Sequence, residues 1–399
     1  MLSVEEAVER IQSALTPLPA QNVATGEACG RIAAESCLAK TNLPPFDNSA
    51  MDGYAVVCAD VKTASADQPV ALKIIGEIPA GQQFKGTIKG GECARIFTGS
   101  PLPDGADAVV MQEDTRSDGD TVQILDSVRP FENIRLCGED VKTGRALVEA
   151  GQRITPGMVN LLLASGCGEL AVSRQPLIGL LATGDELRTA GQSLEPGQIY
   201  ESNRHMLAAQ VGQTGCLARI YDLVPDELEA TRTALETAFS ECDAIITSGG
   251  VSVGDHDYVK QALTDVGGEL DFWRVRVKPG KPFVHGKIGA KNLFGLPGNP
   301  VSAFVTFMVL VRPALLKLQG ASNTALQTHP AILADTLQNR GDRRHFMRLS
   351  VDDNGKATSA GAQASHMLHS LAAANALVDV PPATTLDAGS EVLVHRFEF

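Results

Sequence analysis

The chain of 399 residues carries 47 acidic against 34 basic side chains, a formal net charge of -13 and a pI near 5.1. That length exceeds one ordinary core, so about three or four modules are expected. The acidic balance excludes proteins held by nucleic-acid phosphates or anionic membranes, which would repel it. Any anionic substrate must be met by local positive charge or by a metal. The eight cysteines (Cys29, Cys37, Cys58, Cys93, Cys137, Cys167, Cys216 and Cys242) are scattered with no CxxC pair, which fits a reducing compartment of free thiols. The opening MLSVEEAVERIQSAL has no basic start followed by an apolar stretch, and no run of 18 apolar residues follows, so a cytoplasmic protein is expected.

Ser3 and Glu6 make a capping-box pattern, and Val4, Ala7, Val8, Ile11 and Leu15 recur at helical spacing, so the chain opens on an amphipathic helix. From about Leu43 to Val128 the texture becomes short β-rich runs, such as ALKIIGEI and ADAVVMQED, broken by PAGQQ, KGG, PLPDG and SDGD turns. Residues 138–172 approach a helix that starts near Pro156 and stops at Ser165-Gly166, and this segment is expected to pack beside the opening helix. From Pro176 to about Gly320 apolar strands (177–182, 216–223, 243–248, 292–297) alternate with helices, one of them entered at Ser202 as N-cap. That alternation predicts a mostly parallel sheet covered on both faces. After Gly320 short strands return, MRLSVDD and EVLVHRFEF among them. The expected division is a discontinuous linking domain (1–42 and 138–174), a β-rich domain (43–137), an α/β domain (175–322) and a C-terminal β-domain (323–399).

In an open α/β sheet ligands bind beyond the carboxyl ends of the strands. Three strand exits stand out: Thr183-Gly184-Asp185-Glu186, the stretch SGGVSVGDHDYVK at 248–260, and Gly298-Asn299-Pro300. The second raises a conflict. Gly249, Gly250 and Ser252 suggest backbone wrapped around an anion, yet Asp255 and Asp257 follow at once. In LPGNPVSAF, Asn299 reads as N-cap with Pro300 at the first helical position, leaving N–H groups for an anion. VKPGKPF sets Lys278 and Lys281 about a Pro-Gly turn, where their repulsion invites an anion between them. Asp185, Glu186, Asp255 and Asp257 converge if their strands are neighbours, and oxygen ligands without histidine or thiolate favour Mg²⁺. Each acid alone also reads as a helix-capping group, and each lysine as a solvated loop side chain. His256 reads as a solvated bystander. In the β-rich region PPFDNSAMDGYAV crowds Asp47, Asn48, Ser49 and Asp52, with Thr98 and the Glu139-Asp140 turn as further candidates. No HExxH, GxGxxG or GxxxxGK[ST] occurs, which argues against nicotinamide dehydrogenases and P-loop ATPases.

Taken together, PPFDNSAMDGYAV, IFTGSPLPDGADAVVMQE, GED, TGDEL, IYESN, SGGVSVGDHDYVK, VKPGKPF and GLPGNPVSAFVTF resemble, in order and separation, the molybdopterin molybdenumtransferase family, to which the gephyrin E domain is related. The resemblance implies a four-part elongated subunit in a homodimer with a cleft shared between subunits. It implies an enzyme that inserts molybdate into adenylylated molybdopterin with Mg²⁺-dependent release of AMP, fed by an upstream adenylyltransferase. It implies Asp52, Thr98, Asp140, Glu186 and Asp257 as catalytic. Asp226, Lys278, Lys281, Pro297, Pro300, Arg348 and Ser365 fall with Gly249, Gly250, Ser252 and Asn299 on substrate, and Asp257, Glu186 and Asp255 on the metal. Leu349 stands where the family more often has glycine. Two other readings remain: a molybdopterin-binding scaffold, and a molybdopterin adenylyltransferase built on the α/β unit, against which the two β-domains argue.

Overall fold

The computed structural model of the chain describes residues 1–251 and 258–397. The opening helix forms over Val4–Ser13 with its capping box: Ser3 Oγ accepts from the Glu6 N–H at 3.1 Å, and the Glu6 carboxylate accepts from the Ser3 N–H at 2.7 Å. Its apolar stripe, Val4, Ala7, Ile11 and Leu15, is buried in the core of the α/β region, against the long helix Pro300–Leu318. This corrects the expectation that it packs beside the segment around Pro156. The helix Pro156–Ala164 fully buries only Leu162 and packs with Ala28, Ile154 and the turn Thr25–Glu27, leaving no long apolar face for a second helix. The two distant stretches meet through strands: Ala20–Ala24 pairs antiparallel with Glu169–Ser173, and Cys37–Leu38 with Ala146–Val148.

The β-rich region holds a six-stranded sheet in the order Ala108–Met111, Gly53–Val56, Glu92–Ile96, Val70–Ile78, Thr121–Ile124, Thr115–Asp118. Alternate residues of its central strands bury on opposite faces. Tyr54, Val56, Leu72 and Val110 fill one cluster; Ala55, Ile78, Ala94 and Val109 fill the other.

The α/β sheet also has six strands, ordered Leu217–Val224, Leu177–Thr183, Ala244–Ser248, Lys291–Leu296, Pro282–Ile288, Glu269–Arg274. The first four are parallel and the last two antiparallel. Leu177–Thr183 and Ala244–Ser248 are buried on both faces, which explains their unbroken apolar runs. One face packs against Asn203–Gln213 and Pro300–Leu318, the other against Leu228–Glu241 and Val259–Asp265. Among the described residues Pro300–Leu318 is the one helix long and apolar enough to cross a membrane, but 89% of its most apolar 18-residue window is buried in the fold, so it serves as a core helix. It passes through a π-helical turn at Phe307–Val311, all of it buried.

In the C-terminal region five strands close on themselves. Arg344–Val351 pairs with Lys356–Ser359, that with His329–Leu333, that with Glu391–Arg396, that with Ala376–Val380, which returns to Arg344–Val351. The short strand Val277–Lys278 leaves the α/β region and pairs parallel with Arg344 and His345 of this ring. All eight cysteines are free.

Candidate active site

The parallel strands end together, and their exits bound a cleft of about 580 Å³. Thr183 and Glu186 come from the first exit, Ser248 and Gly249 from the second, Gly298, Asn299 and Pro300 from the third. The strand register explains the convergence: Ala182 lies opposite Ser248, and Ser248 opposite Leu296, so the chain leaves all three strands at one level. Glycine is required at the second exit. Gly249 has φ 90° and Gly250 φ 64°; a Cβ on Gly249 would lie 2.9 Å from the Thr183 carbonyl oxygen, and one on Gly250 2.7 Å from the Val259 side chain.

Asn203 braces the cleft. Its Nδ2 donates to Ser248 Oγ at 2.8 Å and to the Gly298 carbonyl at 2.7 Å, tying two strand exits to the start of a helix. The Gly298 carbonyl can only accept, which fixes the amide so that Oδ1 faces the other way, and that buried oxygen has no hydrogen-bond partner among the described residues. Thr183 Oγ1 is buried and unpartnered among the described residues as well. Beside them Glu201 and Arg204 form a buried pair: Arg204 Nε donates to Glu201 Oε2 at 2.9 Å, and the Arg204 N–H to Glu201 Oε1 at 2.8 Å. Ser202 is the N-cap residue of this helix by position, but its side chain makes no cap bond, because the Glu201 carboxylate takes the N–H that a cap would hold. Asn299 likewise precedes Pro300 at a helix start without a side-chain cap bond, which leaves its amide on the cleft wall.

At the rim Asp185 and Asp226 each accept the other's backbone N–H, at 3.1 and 3.4 Å, pinning the first exit to its neighbour after Val224. Two further walls come from elsewhere: Ile199 and Tyr200, and His366 with Leu368 from the C-terminal region.

Two comparisons decide the family. The chain is 37% identical over 406 residues to the molybdopterin molybdenumtransferase of Haemophilus influenzae, covering 100% of this chain and 99% of that one. It is 39% identical to the one from Nostoc sp., covering 92% of this chain and 86% of that one. The chain belongs to the molybdopterin molybdenumtransferase family. It is accordingly an enzyme, and three family regions match in order: the MoeA N-terminal region (domain I and II) at 2–166, a probable molybdopterin binding domain at 179–317, and the MoeA C-terminal region (domain IV) at 330–397. A molybdopterin biosynthesis MoeA protein from Pyrococcus horikoshii has the same architecture, with a TM-score of 0.86 at 31% identity over 100% of both chains. The cleft falls in the molybdopterin-binding region, with His366 and Leu368 added from the last one.

The site residues expected for this family divide by position. Glu186, Gly249, Asn299 and Pro300 line the cleft, while Pro297 is buried just behind it and Gly250 follows in the glycine turn. Asp226 stands at the rim. Ser252, Asp255, His256 and Asp257 lie outside the described residues. Asp52, Thr98 and Asp140 do not line the cleft of their own chain. Asp52 and Thr98 are joined in the β-rich region, where Asp52 Oδ1 accepts from the Thr98 N–H at 2.7 Å and its hydroxyl at 2.8 Å, which holds the Asp52 carboxyl below its usual range. Lys278 and Lys281 flank a turn set on the helix at Ser302 and Thr306, near the cleft but not in its wall. Arg348 is fully buried. Its Nε donates to Ser370 Oγ and its Nη2 to the carbonyls of Ala362 and Ala364, so it fastens the segment that carries Ser365 and His366, and it presents no surface of its own to the cleft. Asn203, Glu201, Arg204 and His366 were not singled out from the sequence. IYESN contained the signal for the first two; nothing local marks His366.

Proposed function

We propose that this enzyme inserts molybdate into adenylylated molybdopterin, with release of AMP, in the cleft at the parallel strand exits. One observation carries the reading: three parallel-strand exits open at one level into one cleft of about 580 Å³, within the region matched to a probable molybdopterin binding domain. Thr183 Oγ1 and Asn203 Oδ1 are buried behind its wall without a partner among the described residues, at about 1–3 kcal/mol each. The same wall has the start of a Pro-led helix, whose first N–H groups are unpaired within the helix and suit phosphate oxygens.

The donor set at the rim suits Mg²⁺. Glu186 lines the cleft, and Asp185 and Asp226 each use one carboxylate oxygen on the other's backbone, leaving the second oxygen unengaged by that exchange. Among the described residues no group of three acids, histidines or cysteines forms a cage. Mg²⁺ needs none, since it takes one or two carboxylates and completes its shell with water and substrate phosphate. In this reading Glu186 and Asp257, supported by Asp255, hold the ion, which supplies charge neutralisation at the phosphoanhydride. Gly249 and Gly250 admit the substrate backbone-close, Thr183 and Asn203 orient its polar groups, and Lys278 and Lys281 hold molybdate at the edge of the cleft. Arg348 acts through the 362–366 segment that it fastens.

Asp52, Thr98 and Asp140 reach substrate from a second copy of the chain. Phe46, Met51, Phe131 and Leu136 are exposed around the Asp52 loop, an apolar surface suited to covering by that copy. The four-part division stated from the sequence, a homodimer, an upstream adenylyltransferase as supplier and a cytoplasmic setting complete the proposal. Incubating the pure enzyme with adenylylated molybdopterin and Mg²⁺ tests it: AMP release rises on adding molybdate and is lost in Glu186→Gln and Asp257→Ala. Release indifferent to molybdate, or full activity in both variants, rejects it.

A further inference from the structure

The helix Asn203–Gln213 braces the cleft at its first residue; its last turn borders something else. Two hollows meet there, one of 460 Å³ beside the Gly151–Arg153 turn, the other of 190 Å³ beside the last strand. Gln213, Thr214, Arg312 and Gln327 line both, so the hollows adjoin along a shared wall, and the pair is termed the groove. Arg153 enters it from one end and Arg396 from the other. Along the helix, the groove residues Gln210 and Gln213 lie about 10 and 15 Å from Asn203 at 1.5 Å per residue.

The groove reverses the character of the chain. In a protein with net charge -13, its wall gathers three arginines and contains no aspartate or glutamate. Among the described residues none of the three makes an ion pair. Their guanidinium groups are only partly used: Arg153 Nη2 donates to the Thr214 carbonyl at 3.0 Å, Arg396 Nη2 to the Asp352 carbonyl at 3.0 Å, and Arg312 Nη1 reaches the Thr324 and Ala325 carbonyls at 3.3 and 3.4 Å. Each guanidinium has five N–H donors, so most are left to solvent or to a ligand. Gln210 lines the same groove, 3% exposed, and among the described residues neither its amide nitrogen nor its amide oxygen has a partner. Burial, and then the charge of Arg153, hold Arg312 below the usual arginine range. Neighbouring guanidinium groups with no carboxylate between them are a cost that an oxyanion removes, and their planar forks match phosphate oxygens.

We propose that this groove is an oxyanion site separate from the cleft, in which Arg153, Arg312 and Arg396 take the phosphate groups of a small ligand and Gln210 its remaining polar atoms. The probes are inorganic phosphate and pyrophosphate, titrated calorimetrically into the full chain carrying Lys278→Gln and Lys281→Gln, which weakens oxyanion binding near the cleft. A saturable site is expected to persist in that background. Arg153→Gln and Arg396→Gln, each added separately and each checked by circular dichroism, are expected to weaken it roughly tenfold or more, as loss of a charge-assisted pair does. Arg312→Lys keeps the charge, loses the fork and is expected to weaken it as well. Absence of binding in the double-lysine background, or affinity untouched by both arginine-to-glutamine changes in folded protein, overturns the proposal. So does a change of oligomeric state on Arg153→Gln in sedimentation, since the arginines would then be holding a neighbouring chain's carboxylates.

Discussion

Glu201 and Arg204 show what a single pair does in this cleft. Both side chains are buried, so the guanidinium and carboxylate have given up hydration and depend on each other. Glu201→Gln leaves Arg204 charged and buried; it is expected to cost roughly 3–5 kcal/mol, read as a lowered urea midpoint. His345 gives a second residue-level test. It is 3% exposed, and burial first, then the charges of Lys278, Arg348 and Arg343, push its pKa from 6.5 down to about 4. Between those values the unfolded chain binds the proton and the folded chain does not, so stability is fully present above the unfolded value and falls as pH drops from 6.5 towards 4. The slope from this one group is at most about 1.4 kcal/mol per pH unit. Urea melts across that window are expected to show a shallower slope in His345→Gln; an unchanged slope would show that His345 charges as easily folded as unfolded.

At the scale of elements, the cleft depends on three strand exits held at one level. Gly249→Ala puts a methyl group 2.9 Å from the Thr183 carbonyl at a φ of 90°, so it is expected to cost about 1–3 kcal/mol and to displace the exit. Asn203→Ala removes the brace to Ser248 and Gly298, and its signature is different: little loss of stability beyond the two bonds, but weaker substrate binding, seen as a raised KM. Equal KM values for Asn203→Ala and the unmodified enzyme would remove Asn203 from the site. These exits were legible in the sequence because apolar runs ending in glycine and polar residues report a local fact, where a buried strand stops. The docking of Val4–Ser13 on Pro300–Leu318 was not legible, since an amphipathic stripe states that a face is buried and not against what. His366 was illegible for the same reason: it reaches the cleft through Arg348 and the carbonyls of Ala362 and Ala364, a connection with no periodic trace.

At the scale of the whole molecule, the separation of Asp52 from the cleft makes a prediction that no single-chain measurement can supply. If Glu186 of one copy works with Asp52 of another, Asp52→Asn and Glu186→Gln chains are each inactive alone but regain activity when refolded together. Random pairing in a two-fold dimer restores one intact cleft in half the dimers, about a quarter of full activity. Failure to recover any activity would place both residues' work within one chain. The family and the order of its regions were readable from motifs spread along the whole chain, whereas the assembly of pieces distant in sequence was not, because it rests on surfaces and not on spacing.

The strand Val277–Lys278 has a consequence at this scale too. It belongs by sequence to the α/β region, yet its backbone pairs with Arg344 and His345 of the closed C-terminal ring. A lysine carried on an ordinary loop could stay with the sheet while the ring swung away. This one is stitched to the ring, so any opening or closing of the C-terminal region must either drag Lys278 with it or tear that ladder. The position of the charge beside the cleft therefore reports the angle between the two regions, and a probe at Lys278 would read that angle directly.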